Sequence, residues 1–179
     1  MNEMRVKLLF NTPVEVIRSV YEQKGATFKP EAILDHIFYM FEIEGCSRVT
    51  THQLVRHRIA SYDQESQRFS AATKESFVTP PSIASNSEAL NIYKSALEEI
   101  YRAYDKLTSV GVPKEDARYI LPSALKTKLV MTVSARSLMH IVWLRTSLQA
   151  QWEIRELAKA MYNLAKEATP ELWEKIIEK

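Results

Sequence analysis

Arg56-His57-Arg58 and Ser66-x-Arg68 stand seven residues apart, so thirteen consecutive positions carry three guanidiniums, an imidazole and two serine hydroxyls, with no glycine among them. Arginine presents forked N–H donors that match phosphate or carboxylate oxygens, and the intervening imidazole can stack or donate. The spacing therefore predicts an anion-holding segment, and a planar, doubly anionic ligand such as a nucleotide would satisfy both cationic clusters. The absence of glycine separates it from the usual phosphate loop.

A second segment reads Ser134-Ala135-Arg136-Ser137-Leu138-Met139-His140, then Leu144-Arg145, then Ala150-Gln151-Trp152-Glu153-Ile154-Arg155. Together with Arg-His-Arg-x7-Ser-x-Arg and the aromatic Phe69 that follows, it resembles the flavin-dependent thymidylate synthases (the ThyX family) in order and spacing, loosely from about Val6 to about Ala165.

That resemblance implies methylation of C5 of dUMP to give dTMP, with FAD as cofactor, 5,10-methylenetetrahydrofolate as carbon donor and NADPH as reductant. It implies a mixed α/β protomer in a homotetramer whose active sites are shared between subunits. Residue by residue, it assigns Arg145 to ionising the base, and Gln53, Arg56, Gln64, Glu65, Ser66, Gln67, Arg68, Arg118 and Arg145 to dUMP. Arg56, His57, Arg58, Gln64, Ser134, Arg136 and His140 fall to FAD. Gln64 stands where many members have glutamate, Asp63 where asparagine is common, and Ser134 and His140 where asparagines are frequent. Asp35-His36 replaces the family's usual glutamate-histidine pair.

The chemistry agrees from the residues upward. Reducing a transferred methylene to methyl needs a hydride that no side chain supplies, which calls for a cofactor. Cys46 lies outside the cationic motif, so a thiolate mechanism is disfavoured. What remains is polarisation of the pyrimidine by an arginine, stabilising charge as it develops. Other readings stand beside this one. Arg118 also reads as a solvated surface arginine, Ser66 lacks a neighbouring histidine-acid pair and reads as a phosphate donor rather than a nucleophile, and the four histidines show no metal-ligand spacing. Trp152 and the Ile154, Leu157, Met161, Leu164 series read as core. For the whole chain, the alternatives are a nucleotide- or RNA-binding module without catalysis, and a flavoprotein oxidoreductase without methyl transfer.

The elements that must position these residues can be read in order. Val6–Asn11 reads as a strand, and Thr12-Pro13-Val14-Glu15 as a capped helix start ending at Gly25. A helical turn after Pro30 and a strand over His36–Ile43, broken by Gly45, come next. Ser47 caps a helix to His57, so the motif sits at a helix exit and the loop beyond. Ser70–Asn86 reads as a long surface loop and candidate lid. Leu90, Tyr93, Leu97, Ile100, Tyr104 and Leu107 recur at helical steps, a long central helix of about five turns. A short helix over Lys114–Leu121 carries Arg118, and Leu129–Val133 reads as a strand, with helix as competitor. Ala135–Leu144, Gln149–Ala165 and a last segment with Trp173 and Ile176 read as helices. The class is α+β, one domain over 1–179.

Bulk properties bound the function. A net charge of +2 and only three glycines argue against a dedicated nucleic-acid binder and against a Gly-x-Gly-x-x-Gly dinucleotide fold. A single cysteine, no leader-like start and no apolar run of membrane length predict a cytoplasmic protein without a membrane partner.

Overall fold

A computed structural model of the chain describes residues 4–68, 73 and 76–173. Four strands, β1 (Arg5–Asn11), β2 (Phe38–Ser47), β3 (Ala60–Gln64) and β4 (Lys126–Ser134), form one antiparallel sheet in the order β1-β2-β4-β3. Alternation decides its two faces. Tyr39, Phe41 and Ile43 of β2 and their register partners Val133, Met131 and Leu129 of β4 are each at most 1% exposed. The opposite face is polar: Lys128 bridges Glu42 at 2.8 Å and Glu44 at 2.6 Å, and holds both carboxyls below their ordinary pKa.

The apolar face is covered by α7 (Ala135–Arg145) and α8 (Trp152–Ala168), whose buried residues join the sheet in one core with α1 (Val14–Gln23) and α9 (Pro170–Trp173). Burial of each large side chain contributes about 1.5–3 kcal/mol. Trp173 Nε1 donates to Tyr39 Oη at 3.1 Å, which also bonds Thr169 Oγ1 at 2.5 Å, satisfying buried polar groups at the end of the fold.

The remaining helices are α2 (Pro30–Ile33), α3 (Arg48–Leu54), α4 (Pro81–Ala84), α5 (Ser87–Ser109) and α6 (Lys114–Ala117), the last continued by a 3-10 turn over Arg118–Ile120. The long helix α5 packs with α4, α6 and that turn. Tyr104 joins Phe77, Ala117 and Leu125 in a second core cluster, while Leu90, Tyr93, Leu97, Ile100 and Leu107 stay half-buried.

Several expectations shift. Thr12 does not cap α1; its Oγ1 accepts from Phe38 N at 3.0 Å, clasping the ends of β1 and β2, and Pro13 occupies the cap position. Gly45 does not break β2: at φ +77° it accommodates a bulge between Glu44 and Cys46, and the strand runs on to Ser47. The helix after Ser47 stops at Leu54, and the stretch read as loop beyond the motif's first half contains β3. Short edge strands of mixed polarity carry little periodic signal. Within the expected 70–86 surface loop, Phe77 and Val78 are buried at 7% and 3% exposure, Phe77 bridges Leu125 at the entry to β4, and Pro81–Ala84 form α4, while most of 81–86 stays exposed. Phe69, Ser70 and Ile176 lie outside the described residues.

Candidate active site

Ser47 caps helix α3, its hydroxyl accepting from Thr50 N, and the helix ends where Val55 to His57 close a tight turn. Tyr62 of β3 locks that turn: its hydroxyl lies 2.9 Å from Leu54 O and 3.0 Å from His57 O. The turn sends His57 inward, at 8% exposure, while Arg56 and Arg58 point to solvent. Burial, then the Arg145 charge, then His140 push the His57 pKa down to about 4.

A neutral imidazole is what the hydrogen bonding requires. Arg145, the last residue of α7, donates from Nε to His57 Nε2 at 2.9 Å and from Nη2 to Gln53 O at 3.4 Å. With Nε2 accepting, the proton of His57 sits on Nδ1. Arg145 retains three further N–H donors of its five for an external acceptor. The exposed His140 ring meets His57 edge-on at 6.3 Å and stacks on Trp143 at 6.1 Å. Arg56, His57, Arg58, Ile59, Ser137 and His140 line a cavity of about 200 Å³. Around it Ile59 and Trp143 are 72% and 74% exposed.

Two residues of the second motif have structural tasks. Ser134 caps α7, accepting from Ser137 N at 3.3 Å and donating to Ser137 Oγ at 3.0 Å. Arg136 grips Asp35 through Nε at 2.8 and 2.9 Å and reaches Glu31 O with Nη2 at 3.2 Å, tying α7 to α2 and the segment after it.

The second half of the cationic motif lies elsewhere. Gln64 faces the helix-covered side of the sheet and donates to Thr51 Oγ1 at 3.0 Å and Thr127 Oγ1 at 3.3 Å. Glu65 lies between two open clefts, one lined also by Arg48 and Gln67 and the other by Gln64 and Ser66. Its carbonyl accepts from Arg48 Nη2 at 2.8 Å. Arg68 pairs with Glu115 at 2.6 Å and its backbone NH donates to Ser66 Oγ, while Arg118 Nε donates to Glu115 O at 3.0 Å. Thus Ser66, Arg68 and Arg118 gather around Glu115. Between this cluster and the His57–Arg145 pair runs β3, whose five residues span roughly 13 Å. Within one chain the two halves of the motif line different cavities.

Three participants were not singled out from the sequence: Glu115, Tyr62 and Glu153. Glu153 is 3% exposed and accepts from Ser47 N at 2.7 Å, Ser47 Oγ at 2.5 Å and Thr50 Oγ1 at 2.8 Å. Its signal was present in the spacing, because Glu153, Leu157, Met161 and Ala165 recur every four residues along the buried stripe of α8. A charge on an apolar stripe demands partners.

These features define a mixed α/β chain with one-sided antiparallel sheet and a split cationic motif, and comparison with known proteins agrees. The sequence profile of the thymidylate synthase complementing protein family matches residues 10–171. The chain belongs to that family. The flavin-dependent thymidylate synthase of Pyrococcus furiosus is 48% identical over 141 residues, covering 76% of this chain and 58% of the relative. That of Geobacter sulfurreducens is 43% identical over 145 residues, covering 80% and 62%. The chain thus spans about three-fifths of the length of these relatives. A crystal structure of thymidylate synthase X from Helicobacter pylori with FAD and dUMP superposes with a TM-score of 0.77 at 26% identity, covering 99% of this chain and 100% of that one.

Proposed function

We propose that this chain is a flavin-dependent thymidylate synthase, acting as a single domain over residues 1–179 and methylating dUMP to dTMP with FAD, 5,10-methylenetetrahydrofolate and NADPH. The observation that carries the reading is Arg145, held by two acceptors at the end of α7 beside the Arg-His-Arg turn. Relatives bearing this activity by name, and a similar structure with FAD and dUMP, support the choice of substrate and cofactor.

The residues present suit the flavin. Among the described residues Arg56 and Arg58 make no ion pair, which leaves two cations beside the cavity for anionic groups. The neutral His57 and the His140–Trp143 stack offer flat faces. A cavity of about 200 Å³ is smaller than the roughly 300–1,000 Å³ of small-molecule sites. One protomer therefore supplies one wall, and the exposed Ile59 in it and Trp143 stacked on His140 suit contact with another copy. When bound, FAD supplies the hydride that completes the methyl group.

The protein's own part is orientation and electrostatics. Arg145 directs its free N–H groups at the uracil carbonyl and ring nitrogen, stabilising negative charge as C5 becomes nucleophilic. Arg56, Gln53, Gln64, Glu65 and Gln67 line the nucleotide. Ser66, Arg68 and Arg118 take its phosphate, with Arg68 exchanging its Glu115 partner for the stronger anion. His57, Arg58, Ser134, Arg136 and His140 border the flavin. Because β3 separates the phosphate cluster from Arg145, a complete site combines the Ser66 half of one protomer with the Arg145 half of another, as a homotetramer permits. The buried, reduced Cys46 suits the cytoplasm.

The test is tritium release from C5-labelled dUMP by purified protein under anaerobic conditions with FAD, methylenetetrahydrofolate and NADPH. Release dependent on all of them is expected. No release, together with polynucleotide binding that falls steeply with salt, would replace the enzyme by a nucleic-acid module.

A further inference from the structure

Helix α3 is held at both ends by residues only eight apart in the sequence. At its start the Glu153 carboxylate accepts three hydrogen bonds from Ser47 and Thr50. At its far side Arg145 donates to the Gln53 carbonyl and to His57 in the turn that follows. Seven residues of helix span only about 10 Å, so a shift at one end of so short a rod is carried to the other. Nothing else on the buried stripe of α8 is charged, and the flanking Ile154, Leu157 and Met161 are fully buried. A carboxylate kept there, surrounded by donors, costs desolvation that a leucine would not.

We propose that Glu153 is a positioning residue for Arg145. By fixing the first turn of α3 it sets where the last turn presents the Gln53 carbonyl and His57 Nε2, and those two acceptors set the direction of the guanidinium. The inference rests on the role given to Arg145 above. Glu153 touches neither substrate nor cofactor in this account.

The primary variant is Glu153→Gln, which keeps the volume and one acceptor oxygen. Thr50→Val removes one donor alone and serves if Glu153→Gln does not fold. In steady-state tritium release with FAD-replete protein, kcat is expected to fall about ten- to hundredfold for Glu153→Gln, with less loss for Thr50→Val, and KM for dUMP to stay within about twofold. Flavin content and absorbance are expected to be unchanged. Combined with Arg145→Lys, Glu153→Gln is expected to add little further loss, because both act through one guanidinium. Without any cofactor, the Arg145 Nε–H resonance in ¹H–¹⁵N spectra, assigned by its loss in Arg145→Lys, is expected to shift or broaden in either variant.

Losses that multiply independently in the double variant, or an Arg145 Nε–H signal unmoved in a folded variant, would overturn the proposal. Absence of tritium release from the unsubstituted protein would instead remove the proposed function, and the resonance would still decide the positioning.

Discussion

Arg145 and His57 lie eighty-eight residues apart in the chain and meet at 2.9 Å, Nε of one donating to Nε2 of the other. The contact fixes the guanidinium plane and demands a neutral imidazole. Lysine at this position would keep the charge but lose the forked geometry. Arg145→Lys is expected to lower kcat for tritium release about 10²- to 10³-fold, with a much smaller change in KM for dUMP. A raised KM for dUMP with kcat unchanged would assign Arg145 to ground-state affinity alone.

The same pair predicts a pH dependence of stability. The folded pKa of His57 is pushed down to about 4 by burial and by the Arg145 charge. The unfolded value is near 6.5, so between about pH 6.5 and 4 the unfolded chain binds a proton that the folded chain refuses. Stability contributed by neutral His57 is complete above that window and lost as pH falls through it. The melting temperature should drop between pH 7 and pH 4.5, and His57→Asn should flatten that part of the curve. An identical slope in the variant would show that His57 does not titrate there.

Tyr62 holds the motif's turn through the carbonyls of Leu54 and His57, and burial pushes its pKa up to about 12. Tyr62→Phe removes the hydroxyl donor to the His57 carbonyl, while Leu54 O keeps the backbone NH of His57 at 3.1 Å. Urea unfolding should report a loss of about 1–3 kcal/mol. A change below the error of extrapolation would mean that water replaces the hydroxyl at no cost.

How far the sequence disclosed this arrangement depends on the kind of signal. The hydrophobic periodicities of α5 and α8 and the cap at Ser47 were legible, because helical spacing and a hydroxyl at the cap are local. The Arg-His-Arg and Ser-x-Arg clusters were legible as chemistry. Their separation was not, since β3 is a five-residue edge strand, Ala-Ser-Tyr-Asp-Gln, with nothing apolar enough to mark it. The continuation of β2 past Gly45 was hidden for a related reason: a glycine that ends most strands here serves a bulge. The spacing marks Glu153 as a charge on a buried stripe, but its partners Ser47 and Thr50, like the Arg68 that pairs with Glu115, are read only from the fold, because they are far away in sequence.

Cys46 provides a negative control. It is fully buried, and burial followed by the charge of Glu153 pushes its thiol up to about 12. A thiol so protonated is no nucleophile. Native protein should resist iodoacetamide, and Cys46→Ala should release tritium within about twofold of the unsubstituted rate. Loss of turnover in a folded Cys46→Ala variant would reinstate a covalent mechanism.

The most direct test of a site divided between chains is complementation. Arg145→Ala and Arg68→Ala, each inactive alone, would be unfolded or dissociated together, reassembled as a mixture, and assayed for tritium release. If each site draws Arg145 from one subunit and Arg68 from another, equal mixing should restore about one quarter of wild-type activity by random pairing. A verified mixed oligomer that stays as inactive as its parents would contradict a site assembled across subunits and require both arginines from a single chain.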